Sequence, residues 1–251
     1  MKHFFSFTTL VFFAFLFYAS SPSKKATAPT KQTFTYSYKT TQVAKSGSAN
    51  VVLALYHPDY ATDFVRAYAN SDVFLNFRRF MEDDVKQLLL DKGYSMKVVE
   101  NPILYEDKKT VEVALEIKIQ PYFTAAEGGW KRYQPLLVYG NAPLEWSFDG
   151  TTAIAGRVNI TGYEPMSGQP IWVKTVEFPP VESIHIAPQG RFPANQITTE
   201  FLNDASVYNA LGAALQKVYT GCMQKIDIYL DPREFVDLKP QIKELKSKKV
   251  F

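Results

Sequence analysis

An unbroken apolar run, VVLALY at 51–56, is followed by a helical pattern over 71–94 (SDVFLNFRRFMEDDVKQLLLDKGY) and at once by YSMKVVE. That order constrains the fold more than any other feature of the chain. The run ends at His57-Pro58 and suits a central strand buried on both faces. In the helix, Phe77, Met81, Val85 and Leu88 make one stripe, widened by Phe74, Phe80 and Leu89. The stripe packs on a sheet, while Arg78, Glu82, Asp83, Lys86 and Asp91 face water. Ser71 or Asn70 caps the start, Asp72 suits the first turn, and Gly93 supplies a left-handed stop. Strand, helix and strand joined this tightly form a βαβ-like unit with a right-handed crossover.

The remaining pattern adds antiparallel material. TVEVALEIKIQ (110–120) alternates, with Val111, Val113, Leu115, Ile117 and Ile119 on one face and Glu112, Glu116, Lys118 and Gln120 on the other. Residues 121–150 read as a long aromatic and Gly/Pro-rich connection, the kind of segment that carries function. Residues 152–178 read as a hairpin: Ile154, Val158 and Ile160 line one arm, and Trp172, Val176 and Phe178 the other. Its EPMSGQP link supplies the turn residues. A loop at 179–202 precedes a second long helix, in which Leu211, Leu215, Val218, Cys222, Ile226 and Tyr229 keep helical spacing. Asp231-Pro232 ends it and caps a short successor, PREFVDLK, after which the Lys-rich QIKELKSKKVF trails off. There is no internal repeat. The expected fold is α+β: a mixed, largely antiparallel sheet of about five to seven strands packed with two long helices.

The N-terminus reads as a secretory signal peptide over 1–21. Lys2 gives the positive start, no charge interrupts Phe4 to Tyr18, and Ala19, Ser20 and Ser21 are small. The run is short for a bilayer-spanning helix, which needs about 20 apolar residues. No Cys follows it, so no lipidation is expected there. Residues 22–50 read as a flexible tether and a first strand, in which Phe34, Tyr36 and Tyr38 alternate with polar neighbours. Residues 51–251 form a single α+β domain with a Lys-rich C-terminal tail.

With 46% hydrophobic and 21% charged residues the chain is ordinary globular material. Its single Cys allows no internal disulfide. The net charge of +3 hides an asymmetry: the first 45 residues hold six Lys and no acid, and 239–251 hold five Lys and one Glu. The body between them carries 17 bases against 24 acids. That surplus argues against nucleic acid, whose binders need a basic stripe. The basic ends read as solvated tails able to touch anionic lipid, a peripheral membrane association.

Catalytic patterns are missing. His57 and His185 sit in different loops without metal-ligand spacing, and there is no Gly-x-Ser-x-Gly elbow, phosphate loop or dinucleotide fingerprint. The reading is a non-enzyme without cofactor or metal. Glu82-Asp83-Asp84 reads as a solvated helix face, and Cys222 as a small core hydrophobe.

Recognition is expected in GGWKRYQPLLVYGNAPLEW (128–146). Trp130, Tyr133 and Tyr139 offer flat apolar faces to a sugar ring, and Lys131 and Arg132 can pair a carboxylate such as that of sialic acid. The competing reading has the aromatics closing the end of the sheet, with the two bases simply exposed.

The helix ending DDVKQLLLDKGYSMKVVE, the hairpin VNITGYEPMSG and the segment ALQKVYTGCMQKID with KELKSKK resemble the neuraminyllactose-binding haemagglutinin family. The likeness runs from about Val51 to the C-terminus, and Glu164-Pro165-Met166-Ser167-Gly168 is its most specific piece. The resemblance implies a surface adhesin for sialylated glycans, associated with the outer membrane or flagellar sheath. Two departures stand out: the family's leader-closing Cys is missing, and only Lys131, Arg132 and Gln134 echo its basic segment. The alternative is a non-catalytic periplasmic or outer-membrane structural or assembly module binding envelope proteins, in which strand 110–120, if at the sheet edge, could add a partner strand. The sequence does not fix the oligomeric state.

Overall fold

The computed structural model describes residues 29–41, 43–62, 66–133 and 144–248. The signal-peptide reading at 1–21 and the start of the tether lie outside the described residues. Six strands are present among them: β1 (Val52–Tyr56), β2 (Asp59–Tyr60), β3 (Ser95–Val99), β4 (Val113–Tyr133), β5 (Glu145–Glu164) and β6 (Gln169–Ile186). The helices are α1 (Arg66–Ala69), α2 (Asp72–Asp91), α3 (Tyr105–Thr110), α4 (Thr199–Asn203), α5 (Ala205–Tyr229), α6 (Pro232–Asp237) and α7 (Lys239–Ser247). None of the described helices is long and apolar enough to cross a membrane.

The sheet order is β3-β1-β4-β5-β6, with β2 beside β4. β1 runs parallel to β3 and β4, as a strand–helix–strand unit demands, while the long β4, β5 and β6 pair antiparallel. The fold is α+β with a mixed, largely antiparallel sheet. α2 and α5 cover one face, and their stripes share one core with Leu53, Leu55, Leu115, Ile117, Val158 and Ile160. The other face carries a small second cluster of Ala54, Val99, Ile103, Val111 and Ala114. Beyond it this face is polar, crossed by pairs such as Tyr163 with Glu116 and Arg157 with Gln120. β1 is therefore buried on both sides, as its unbroken apolar run requires.

The ends of α2 show how local chemistry sets boundaries. Ser71 occupies the N-cap, but its hydroxyl donates back to the Tyr68 carbonyl. The Asn203 carbonyl oxygen instead accepts from Asp72 N–H at 2.9 Å, tying the helix start to α4. At the other end Gly93 takes φ +80°, and a Cβ there would lie 2.8 Å from the Lys45 carbonyl oxygen. Only glycine fits.

Six expectations need correction. Phe34 and Tyr36 are buried, as their alternation implied, but the segment pairs with no strand among the described residues. It lies across the helices, where side chains satisfy its backbone: Gln32 N–H donates to Asn209, Tyr38 N–H to Asp84, and Gln216 donates to the Thr35 carbonyl. Phe34 rests on Gly212, where a Cβ would approach its ring to 2.4 Å. The alternation of 110–120 begins at Val113: Val111 belongs to the second cluster, and Thr110 ends α3. From Val113 to Ile119 β4 has β1 and β2 on one side and β5 on the other, so this stretch is central and offers no free edge. The connection at 121–150 is largely strand, since β4 continues to Tyr133 through a bulge between Thr124 and Glu127, and β5 begins at Glu145. β6 likewise runs on to Ile186, which shortens the loop expected at 179–202. Finally, the Lys-rich tail is helical as far as Ser247, as α7, anchored by buried Ile242 and by Lys246 donating to the Val111 carbonyl at 2.7 Å.

Candidate functional site

The outer end of the β4–β5 hairpin pairs Trp130 with Phe148, Lys131 with Ser147, Arg132 with Trp146 and Tyr133 with Glu145. Side chains alternate along a strand. Trp130 and Arg132 therefore share one face of the hairpin, and Lys131 and Tyr133 the other. The half-buried Trp130 ring sits 5.2 Å from Phe148, 5.3 Å from Phe201 and 6.1 Å from Phe192, mostly edge to face. It is a wall of an aromatic cluster that closes this end of the sheet.

The loop after β6 returns to the hairpin. Trp146 and Phe192 exchange backbone hydrogen bonds, both at 2.8 Å. This bridge delivers Arg191, whose guanidinium carbon lies 3.4 Å from the centroid of the Tyr133 ring. Arg191 also pairs with Glu145 at 3.3 Å. Tyr133 keeps 39% of its surface exposed. Lys131 and Arg132 are exposed, and neither has an ion-pair partner among the described residues. The structure thus places Lys131 and Tyr133, the latter stacked by Arg191, on one face of the hairpin end, and Arg132 with Trp130 on the other. Gln134 and Tyr139 lie outside the described residues. Arg191 was invisible to sequence reading, because only the Trp146–Phe192 bridge brings it here.

A second crevice, of about 360 Å³, lies where β1 and β3 end. Ends of parallel strands at a change of strand direction commonly bind ligands. His57 Nδ1 contacts Glu82 at 2.7 Å and its Nε2 faces Glu100 at 3.4 Å. Across the crevice, Asp59 pairs with Arg78 at 3.2 Å and with Lys118 at 3.8 Å, and Lys118 reaches Glu116 at 3.6 Å. Burial raises the Glu82 carboxyl, but hydrogen bonds from Lys86 and His57 outweigh it and hold it below the ordinary range. Each charge in this crevice is already paired. No group of three His, Cys, Asp or Glu is placed to hold a metal ion among the described residues.

The acidic run on α2 is engaged in structure, which corrects its reading as a solvated face. Glu82 holds His57 and Lys86, and Asp84 accepts from Tyr38 N–H at 2.6 Å and from the Tyr219 hydroxyl at 2.7 Å. Asp83 alone is exposed. Cys222 is buried in the α5 stripe, and that burial pushes its thiol up to about 12.

No family model and no curated protein matches the chain. Among solved structures it is similar to a neuraminyllactose-binding hemagglutinin homolog from Helicobacter pylori, at 14% identity and a TM-score of 0.49, over 84% of this chain and 100% of that one. It is also similar to a DUF330 protein from Xanthomonas campestris, at 11% identity and a TM-score of 0.37, over 84% of this chain and 97% of that one. A third is the dodecameric PelC from Paraburkholderia phytofirmans, at 11% identity and a TM-score of 0.27, over 71% and 92% of the two chains. No residue's role passes from these proteins to this chain.

Proposed function

We propose that this chain is an exported cell-envelope protein that binds rather than catalyses, and that the rim of the β4–β5 hairpin recognises sialylated glycans. One observation carries the reading: the Tyr133 ring, stacked by Arg191, shares its face of the hairpin end with the exposed Lys131, and the exposed Arg132 stands between them on the other face, neither base having an ion-pair partner among the described residues. A sialoside presents a carboxylate beside an apolar ring face. Guanidinium and ammonium groups pair the first, and an aromatic face packs the second. Trp130 supports the rim from below, holding Phe148, Phe192 and Phe201 in register with the strand that bears the bases. Because the cations are exposed, each contact is weak and salt-sensitive, and useful affinity comes from many copies acting together.

Export rests on the uncharged run from Phe4 to Tyr18 after Lys2, and points to the periplasm, outer membrane or cell surface. Mass spectrometry of the mature N-terminus tests it: loss of about the first 21 residues is expected by the signal-peptide template, and an intact Met1 in protein recovered from the cytosol refutes it. Protease treatment of intact cells then separates surface from periplasm. A glycan array probed with the mature protein tests the ligand class, with signal expected for sialosides over their neutral counterparts.

A further inference from the structure

Behind the aromatic cluster lies a half-open cavity of about 240 Å³. Phe123 and Phe148 of the sheet form one wall, Phe201 and Val207 of α4 and α5 the other, and Tyr68 of α1 closes one side. Protein interiors pack as densely as organic crystals, with few voids larger than a water, and atoms lining a void lose their contacts outright. An apolar cavity of about 150 Å³ already stays dry and accepts a benzene ring, and this one is larger. No charged side chain lines it. Its polar groups are the Tyr68 phenol and the hydroxyls of Thr124, Thr151 and Thr152, of which Thr152 donates to the Thr124 carbonyl at 3.1 Å. The Tyr68 ring stacks on Phe123 at 4.7 Å, and burial raises its phenol to about 12, so it remains neutral. The rim residue Ile197 is 39% exposed and leaves the cavity open to solvent.

We propose that this cavity binds a single unbranched alkyl chain of medium length bearing an uncharged hydrogen-bonding head, as in a fatty alcohol or ester. The space exceeds one ring and opens at one side, so a chain enters end-on with its head beside the threonines. A carboxylate drawn into this lining would lose hydration with no cation to replace it. The site is distinct from the glycan rim and does not depend on it.

Titration calorimetry of the mature protein with 1-decanol tests the proposal. Saturable one-to-one binding with a negative heat-capacity change is expected, and Val207→Phe, which fills the cavity, lowers the affinity at least tenfold. Ile197→Trp obstructs the mouth from an exposed position and has the same effect, so it decides the matter if Val207→Phe weakens the fold. Lys131→Ala with Arg132→Ala leaves decanol binding unchanged. Absence of saturable binding, or unchanged affinity in both folded cavity variants, overturns the proposal. Binding of toluene with exclusion of decanol overturns it in favour of an aromatic ring.

Discussion

Asp84 of α2 accepts the hydroxyl hydrogen of Tyr219 of α5 at 2.7 Å, and the same carboxylate oxygen accepts Tyr38 N–H at 2.6 Å. One side chain therefore fastens both long helices and the N-terminal segment laid across them. Tyr219→Phe removes a hydrogen bond to a charged acceptor and is expected to cost about 1.5–3 kcal/mol. A urea midpoint comparison against the parent protein at pH 7 checks this.

Tyr36 gives the opposite case within the same aromatic group. Its ring packs 5.2 Å from Tyr219 and 5.5 Å from Phe77, yet its buried hydroxyl has no hydrogen-bond partner among the described residues. Tyr36→Phe keeps the packing and removes an unsatisfied polar atom, so stability is expected to hold or rise by about 1 kcal/mol. A clear loss of stability in thermal melts would show that the hydroxyl is used.

Asp227 sets a pH dependence. Burial raises its carboxyl, but hydrogen bonds from Lys92 and Tyr38 outweigh that and place it below the ordinary value. A carboxyl whose folded pKa lies below the unfolded value of about 3.9 leaves the native state with fewer bound protons. Its contribution is complete above the unfolded value and is lost as pH falls through the folded one. Asp227→Asn is therefore expected to lower stability at pH 7 and to flatten its decline below about pH 4. Denaturant midpoints across pH 3 to 7 check both effects.

Cys222 tests the core directly. With its thiol buried and pushed up to about 12, reaction with a disulfide reagent at pH 8 requires opening of the α5 packing. Labelling is expected to be at least about 100-fold slower in the native protein than in urea, since opening carries a free-energy cost.

The parts legible in the sequence are those where side-chain burial alone decides the structure. The α2 stripe, the two-sided burial of β1 and the α5 spacing all report a core, and the core is where they place it. Periodicity does not report what the backbone bonds to. Phe34 and Tyr36 alternate like a strand because every second side chain enters the core, but Asn209, Asp84 and Gln216 take the place of a neighbouring strand. At 121–133, Pro121 and Gly128 look like loop residues, yet β4 absorbs them: Gly128 takes φ +94° just beyond the bulge. The Lys-rich tail hides one buried residue, Ile242, among solvated ones. Glu164 reads as part of a turn and of the family resemblance, whereas its buried carboxylate also caps that turn, accepting from Met166 N–H at 2.9 Å and Ser167 N–H at 2.6 Å. The His57 crevice and the Arg191 stack were illegible for one reason: their members are distant in sequence and meet through topology.

The glycan rim is decided by titrating the mature protein with 3′-sialyllactose, alongside lactose, in saturation-transfer NMR at low salt. Sialyllactose is expected to bind at millimolar concentration, lactose much more weakly, with binding lost in Lys131→Ala combined with Arg132→Ala while the fold is retained. No transfer to sialyllactose at millimolar concentration, or equal transfer with the double variant, would contradict recognition at this rim.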